Sequence, residues 1–113
     1  MPTSYYTNTA KGGSTNISSN VFSQIAYDSL VEGANKDYVN DISLTLPRGK
    51  KNVQVEIVKN KVSIKVFVSA YKEGNANKAL QALQQKIYDD IYEATEISNV
   101  KVDLSVLTFV DKK

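Results

Sequence analysis

Cysteine, histidine and tryptophan are absent from this chain. Without cysteine there is no disulfide framework, no thiol nucleophile and no thiolate metal site. Without histidine the usual general base and the commonest transition-metal ligand are gone. Most enzyme classes are excluded by these two absences, and neither a catalytic constellation, a cofactor site nor a metal site is expected. Charge of one sign is also scarce: 14 Lys and Arg against 12 Asp and Glu leave +2, too little to argue nucleic-acid binding from composition. No stretch approaches the roughly 20 apolar residues that span a bilayer. The first 20 residues carry one basic group and no apolar run, so no targeting segment is read and a cytoplasmic location is expected. A phosphate-cradling glycine loop is lacking too, since Gly12-Gly13 lies in a polar tail and Gly49 stands alone.

What is present is a single domain of 113 residues, long enough to bury about two-thirds of its extended-chain surface without staples. Residues 1–16 are mostly Thr, Ser, Asn and Gly, with Tyr5 and Tyr6 as the sizeable hydrophobes. Such a segment does not offset the entropy of ordering it, so a flexible polar arm is expected there. The domain proper is read as 17–110, with a charged end at 111–113.

Ser18 is placed to cap a first helix, with Ile17 and Phe22 positioned as a hydrophobic staple. Val21, Phe22, Ile25, Ala26 and Leu30 recur at helical spacing, and Gly33 suits a left-handed stop, giving a helix over 19–32. Ile42, Leu44 and Leu46 then alternate with polar residues as a short strand that Pro47 ends. Two further alternating runs, over 53–57 and 62–70, read as a hairpin. Opposed residues of an antiparallel pair share a face, so Ile57 must oppose Val62 or Ile64; a loop of two or four residues satisfies this and a loop of three does not. Lys59-Asn60 is favoured, because Asn tolerates positive φ. Asn75 or Asn77 can cap a second helix bearing Ala79, Leu80, Leu83, Ile87, Ile91 and Ala94 on one face. Val100, Val102, Leu104 and Val106 alternate in a last strand reaching about Val110. The expected fold is α+β: a two-layer sandwich in order α-β-β-β-α-β, two helices on one face of a roughly four-stranded, mixed or antiparallel sheet.

Taken together, residues 17–26 (ISSNVFSQIA), 55–71 (VEIVKNKVSIKVFVSAY), the Gly74-Asn75 helix start, 79–87 (ALQALQQKI) and 100–106 (VKVDLSV) resemble the alkaline shock protein family of bacterial envelope-stress proteins. The likeness covers about 17–106 and rests on order and spacing. Asn60 stands where the family's hairpin turn usually has glycine. Thr95-Glu96 stands where its second helix commonly ends in Thr-Gly, so that exit must be built differently. The resemblance implies a small cytoplasmic non-enzyme needed under envelope stress, some members of the family being held at the inner face of the membrane by a separate anchor; an interaction protein that self-associates or docks a partner there is expected. A membrane-anchor protein is one such partner.

Two surface features are candidates for such contact. Phe67 and Tyr71 on one strand and Leu107 and Phe109 on the last strand are expected to share the sheet face away from the helices, where polar residues would be usual; four large apolar groups there mark an association surface. The loop Arg48, Lys50 and Lys51 is a candidate contact for the phosphates of nucleic acid or anionic lipid. With Phe67, it supports a second reading of the chain as an RNA-binding or ribosome-associated α+β module. Asp89, Asp90 and Glu93 read as a solvated helix face. Ser18, Ser19 and Ser23 have no base to activate them and read as capping and solvating residues.

Overall fold

The computed structural model describes residues 5–8 and 15–111. Its elements are β1 (Tyr5–Asn8), β2 (Thr15–Ser18), α1 (Ser19–Lys36), β3 (Ile42–Ser43), β4 (Val53–Val58), β5 (Lys61–Tyr71), α2 (Ala76–Thr95) and β6 (Val100–Val110). From α1 onward this is the expected α-β-β-β-α-β order in an α+β fold, and the sheet is mixed.

β5 is the central strand. Along one edge it pairs antiparallel with β4, from Val58↔Lys61 to Val53↔Val66, and then with β3 at Ser43↔Ser69 and Ile42↔Ala70. Along the other edge it runs parallel to β6. Its even-numbered side chains, Val62, Ile64, Val66, Val68 and Ala70, are all buried, as are Phe22, Ala26 and Leu30 of α1 and Ala79, Leu83, Ile87 and Ile91 of α2. Helix and strand residues form one apolar cluster, so both helices cover the same face of the sheet.

The hairpin turn is the two-residue Lys59-Asn60, with φ of 51° and 59°, and Ile57 opposes Val62. Both positive φ values match the right-handed strand twist. Ser18 caps α1, its Oγ accepting from the Asn20 amide at 3.1 Å, and Asn75 caps α2 by accepting from the Lys78 amide. The α2 exit uses Glu96 in the left-handed region, φ 59°, with its N–H on the Tyr92 carbonyl at 2.7 Å. Thr95 steadies that exit: its hydroxyl donates to the Ile91 carbonyl and accepts from the Ile97 amide.

Three expectations are corrected. Gly33 does not stop α1, which continues to Lys36. A Cβ at Gly33 would collide with Leu83 Cδ2 of α2, so the missing side chain serves the close approach of the two helices. The strand expected over 42–46 ends at Ser43 because side chains take the ladder bonds beyond it. Ser69 Oγ donates to the Thr45 carbonyl at 2.6 Å, and Asn52 Nδ2 donates to the carbonyls of Leu44 and Phe67 at 2.9 and 3.0 Å. Residues 44–51 thereby leave the sheet as a loop.

The third correction concerns the arm. Its described parts, β1 and β2, pair antiparallel from Tyr5↔Ser18 to Asn8↔Thr15. Tyr6 packs edge-on against Phe22, ring centroids 6.3 Å apart. The Asn60 side-chain amide bonds the backbone of Thr7 twice, accepting from its N–H and donating to its C=O, both at 2.9 Å. One aromatic contact and one reciprocal amide pair hold the ribbon where composition alone could not. The remaining arm positions, 1–4 and 9–14, and positions 112–113 lie outside the described residues.

The free edge of β6 is partly closed. Val62 N–H bonds Asn99 O, which turns the odd-numbered backbone groups of the start of β6 toward β5 and the even-numbered ones outward. Gln84 of α2 takes one of the outward groups, donating from Nε2 to the Val102 carbonyl at 2.6 Å.

Two outcomes are expected. Leu83→Ala or Ile87→Ala should destabilise by roughly 2 to 5 kcal/mol through lost burial and a residual cavity, against about 0.5 kcal/mol or less for Asp89→Ala on the exposed face; denaturant midpoints measure both. Asn60→Gly keeps the positive φ of the turn but removes the amide. Thr7 should then exchange its amide hydrogen faster, while stability falls by only about 1 kcal/mol.

Candidate docking face

One register change decides which side chains share the outer sheet face. Val68 pairs with Val106, but the next residue, Ser69, pairs with Thr108, and Ala70 with Phe109. Leu107 is an extra residue, a bulge, and a one-residue insertion inverts the alternation that follows it. Phe109 therefore shares the helix-covered face with Ala70, not the outer face with Phe67. It is 61% exposed and lines a hollow with Ala76 and Leu80 at the start of α2. The expected foursome is thus split. Phe67 and Leu107 adjoin on the outer face, Tyr71 lies farther along it in a separate hollow with Val39 and Val110, and Phe109 is on the opposite side.

The same outer face receives the basic loop. Pro47 to Lys50 form a turn closed by Lys50 N–H on Pro47 O at 3.1 Å, with Gly49 at φ 86° in the position that demands positive φ. The side-chain latches from Ser69 and Asn52 fold the loop across the outer end of β5, and Ser69 is buried although it belongs to that face. Lys50 and Lys51 are thereby brought against Phe67 and Leu107. With Gln54 these residues line a hollow of about 100 Å³. Phe67 is half-buried and Leu107 is 41% exposed. Arg48 occupies the exposed turn outside the hollow lining.

The basic loop and the apolar pair, which the sequence reading joined only through Phe67, are therefore one surface. Gln54 was missed by that reading, although the signal was present: a two-residue turn at Lys59-Asn60 puts Gln54 opposite Lys65 and beside Phe67. Among the described residues, the ion pairs engage Lys72, Lys86 and Lys101, and none engages Arg48, Lys50, Lys51 or Lys65.

Of the α2 carboxylates, Asp90 belongs to the helix interface, while Asp89 and Glu93 stand on the exposed face as expected. Asp90 accepts from the buried Ser29 hydroxyl of α1 at 2.6 Å and pairs with Lys86 at 3.1 Å, while Lys86 also reaches Glu32 of α1 at 3.3 Å. Asp89 accepts from Gln85, one turn earlier. Ser18 caps α1, and Ser23 lines a shallow hollow with Tyr27 and Lys51. No helix among the described residues is long and apolar enough to cross a membrane.

Compared with known proteins, the chain matches no protein-family model, no curated protein and no solved structure.

The Lys86 ammonium is held above its ordinary pKa of 10.5, chiefly by its hydrogen bond to Asp90, with Glu32 adding to the effect and partial desolvation opposing it. A raised lysine pKa means that the folded state favours the charged form. The stability this gives is fully present below the ordinary value and is lost as pH rises through the raised one. Lys86→Met should therefore be less stable than wild type at pH 8, and the gap between their denaturant midpoints should close as pH rises past the ordinary lysine value of 10.5 and through the raised one.

Proposed function

We propose that the protein is a non-enzymatic interaction module of the alkaline shock type, acting in the cytoplasm beside the inner face of the membrane and self-associating or docking a partner through its outer sheet face. The observation that carries this reading is the meeting of Phe67 and Leu107 with Lys50 and Lys51 on a sheet face that no helix covers among the described residues. A two-layer fold leaves one sheet face to solvent, and an apolar pair on it is an association site by default. The chemistry of the chain agrees: no histidine or cysteine is available, and Asp90 of the α2 carboxylates is engaged in helix packing. The family likeness adds the cellular setting and the class of partner, a membrane-anchored protein among them.

A second reading is favoured by the same juxtaposition. Lysines beside a sheet-borne aromatic suit single-stranded RNA, with a base on Phe67 and phosphates on the loop.

The expected outcomes separate the two. With Phe67→Ser and Leu107→Ser combined, concentration-dependent assembly, read by light scattering across a dilution series, should be lost while the far-ultraviolet circular dichroism stays native. Phe109→Ser, on the other face, should leave assembly intact. A wild type that stays monomeric excludes self-association, and cross-linking in cells must then recover a partner that the double variant loses. Unfolding of the double variant would place Phe67 and Leu107 in the core and end the proposal. For RNA, replacing Arg48, Lys50 and Lys51 by Ala should instead flatten the salt dependence of binding by about 2 in log–log slope.

A further inference from the structure

The docking face has a chemical signature that narrows its occupant. Arg48, Lys50, Lys51 and Lys65 are exposed and form no ion pair among the described residues. The chain as a whole is nearly balanced at +2 and other exposed lysines such as Lys36 and Lys78 also lack ion pairs, but three basic groups stand within the four residues 48–51 beside this hollow. The acidic groups of this face adjoin Lys65: Asp103 is its neighbour on β6, where it also pairs with Lys101, and Glu56 lies diagonally from it on β4; the 48–51 loop itself contains no acidic residue.

The relief of the site matters as much as its charge. Phe67 is half-buried in a hollow of about 100 Å³ that Lys50 and Lys51 help to line. A flat bilayer surface would meet the exposed lysines first and leave the recessed ring short of the acyl region, where a protruding aromatic would insert. A run of RNA bases needs several stacking platforms, and the other aromatic of this face, Tyr71, lies in a different hollow. A polypeptide fits both constraints. In an extended segment alternate side chains project to one side, so a single apolar residue can enter the hollow while acidic residues on either side of it meet the lysines.

We propose that the occupant is an acidic segment of a partner protein, lying across the outer face with one apolar side chain seated against Phe67 and Leu107 and its carboxylates on Lys50 and Lys51. This rests on the interaction reading above and specifies the partner's chemistry.

The test uses the full chain and a fluorescein-labelled synthetic peptide with glutamates at alternate positions around one central leucine, followed by anisotropy. Saturable binding is expected. It should weaken by about tenfold or more when serine replaces the leucine, and likewise in the Lys50→Glu/Lys51→Glu and Leu107→Ser variants. Lys36→Glu/Lys78→Glu, the same charge change at exposed positions elsewhere, should bind as wild type. Thermal melts must show each variant folded; Leu107→Ser, at an exposed position, serves if Phe67→Ser does not fold. Equal binding of the leucine and serine peptides, or equal loss in the Lys36/Lys78 variant, reduces the effect to diffuse electrostatics and overturns the proposal. If phosphatidylglycerol vesicles or an oligo(U) strand bind through Lys50, Lys51 and Leu107 while the peptide does not, the acidic-segment proposal falls and the docking face stands. If none of the three binds and the protein does not self-associate on dilution, the docking face falls as well.

Discussion

Because β5 is hydrogen-bonded along both edges and buries five side chains in phase beneath the helices, every other element takes its place from that strand. β4 is fixed to it by a two-residue turn, β3 by two residue pairs and two side-chain latches, and β6 by a parallel ladder that the α2 crossover makes possible. The helices meet where Gly33 lets Leu83 approach, and a small polar network of Ser29, Asp90, Lys86 and Glu32 closes their seam. The buried Ser29 hydroxyl is satisfied there, and no buried side-chain polar atom among the described residues is left without a partner.

The same strand creates the functional asymmetry. Its even-numbered residues point into the core and leave Lys65, Phe67 and Tyr71 on the far side. The loop that interrupts the β3–β4 edge is drawn back over that side by Ser69 and Asn52. An apolar ring and a basic loop, distant in sequence, are made neighbours by two hydrogen-bonding side chains that carry no charge.

Features fixed within a few residues of sequence were legible. The Ser18 and Asn75 caps, the Lys59-Asn60 turn and the register opposing Ile57 to Val62 follow from local stereochemistry and parity. The α-β-β-β-α-β order follows from alternating and helical periodicities. What escaped the sequence depended on contacts across the fold. Gly33 looks like a helix stop until Leu83 is placed against it. The leading ribbon looks too polar to order until Asn60 supplies two hydrogen bonds and Phe22 receives Tyr6. Phe109 belongs with Phe67 on any unbroken alternation, and a single inserted residue at Leu107 sends it to the other face. That insertion has no mark in an apolar run such as Val106-Leu107, because both residues suit either side of a sheet. The candidate site was therefore legible in its parts, Phe67, Leu107, Lys50 and Lys51, and in the pairing of Phe67 with Leu107 and with the loop, but not in the separation of Phe109 and Tyr71 from them.

The amide of Gln84 on the Val102 carbonyl bears on how the protein behaves in a crowded solution. An edge strand of 11 residues is a template on which stray chains can add themselves and start fibres. Here one of the acceptors in the first half of that template is already occupied from within, with Lys101 and Asp103 on either side of it in sequence. A strand approaching from another molecule must first dislodge a side chain anchored in α2, so accidental growth of the sheet is opposed at this edge.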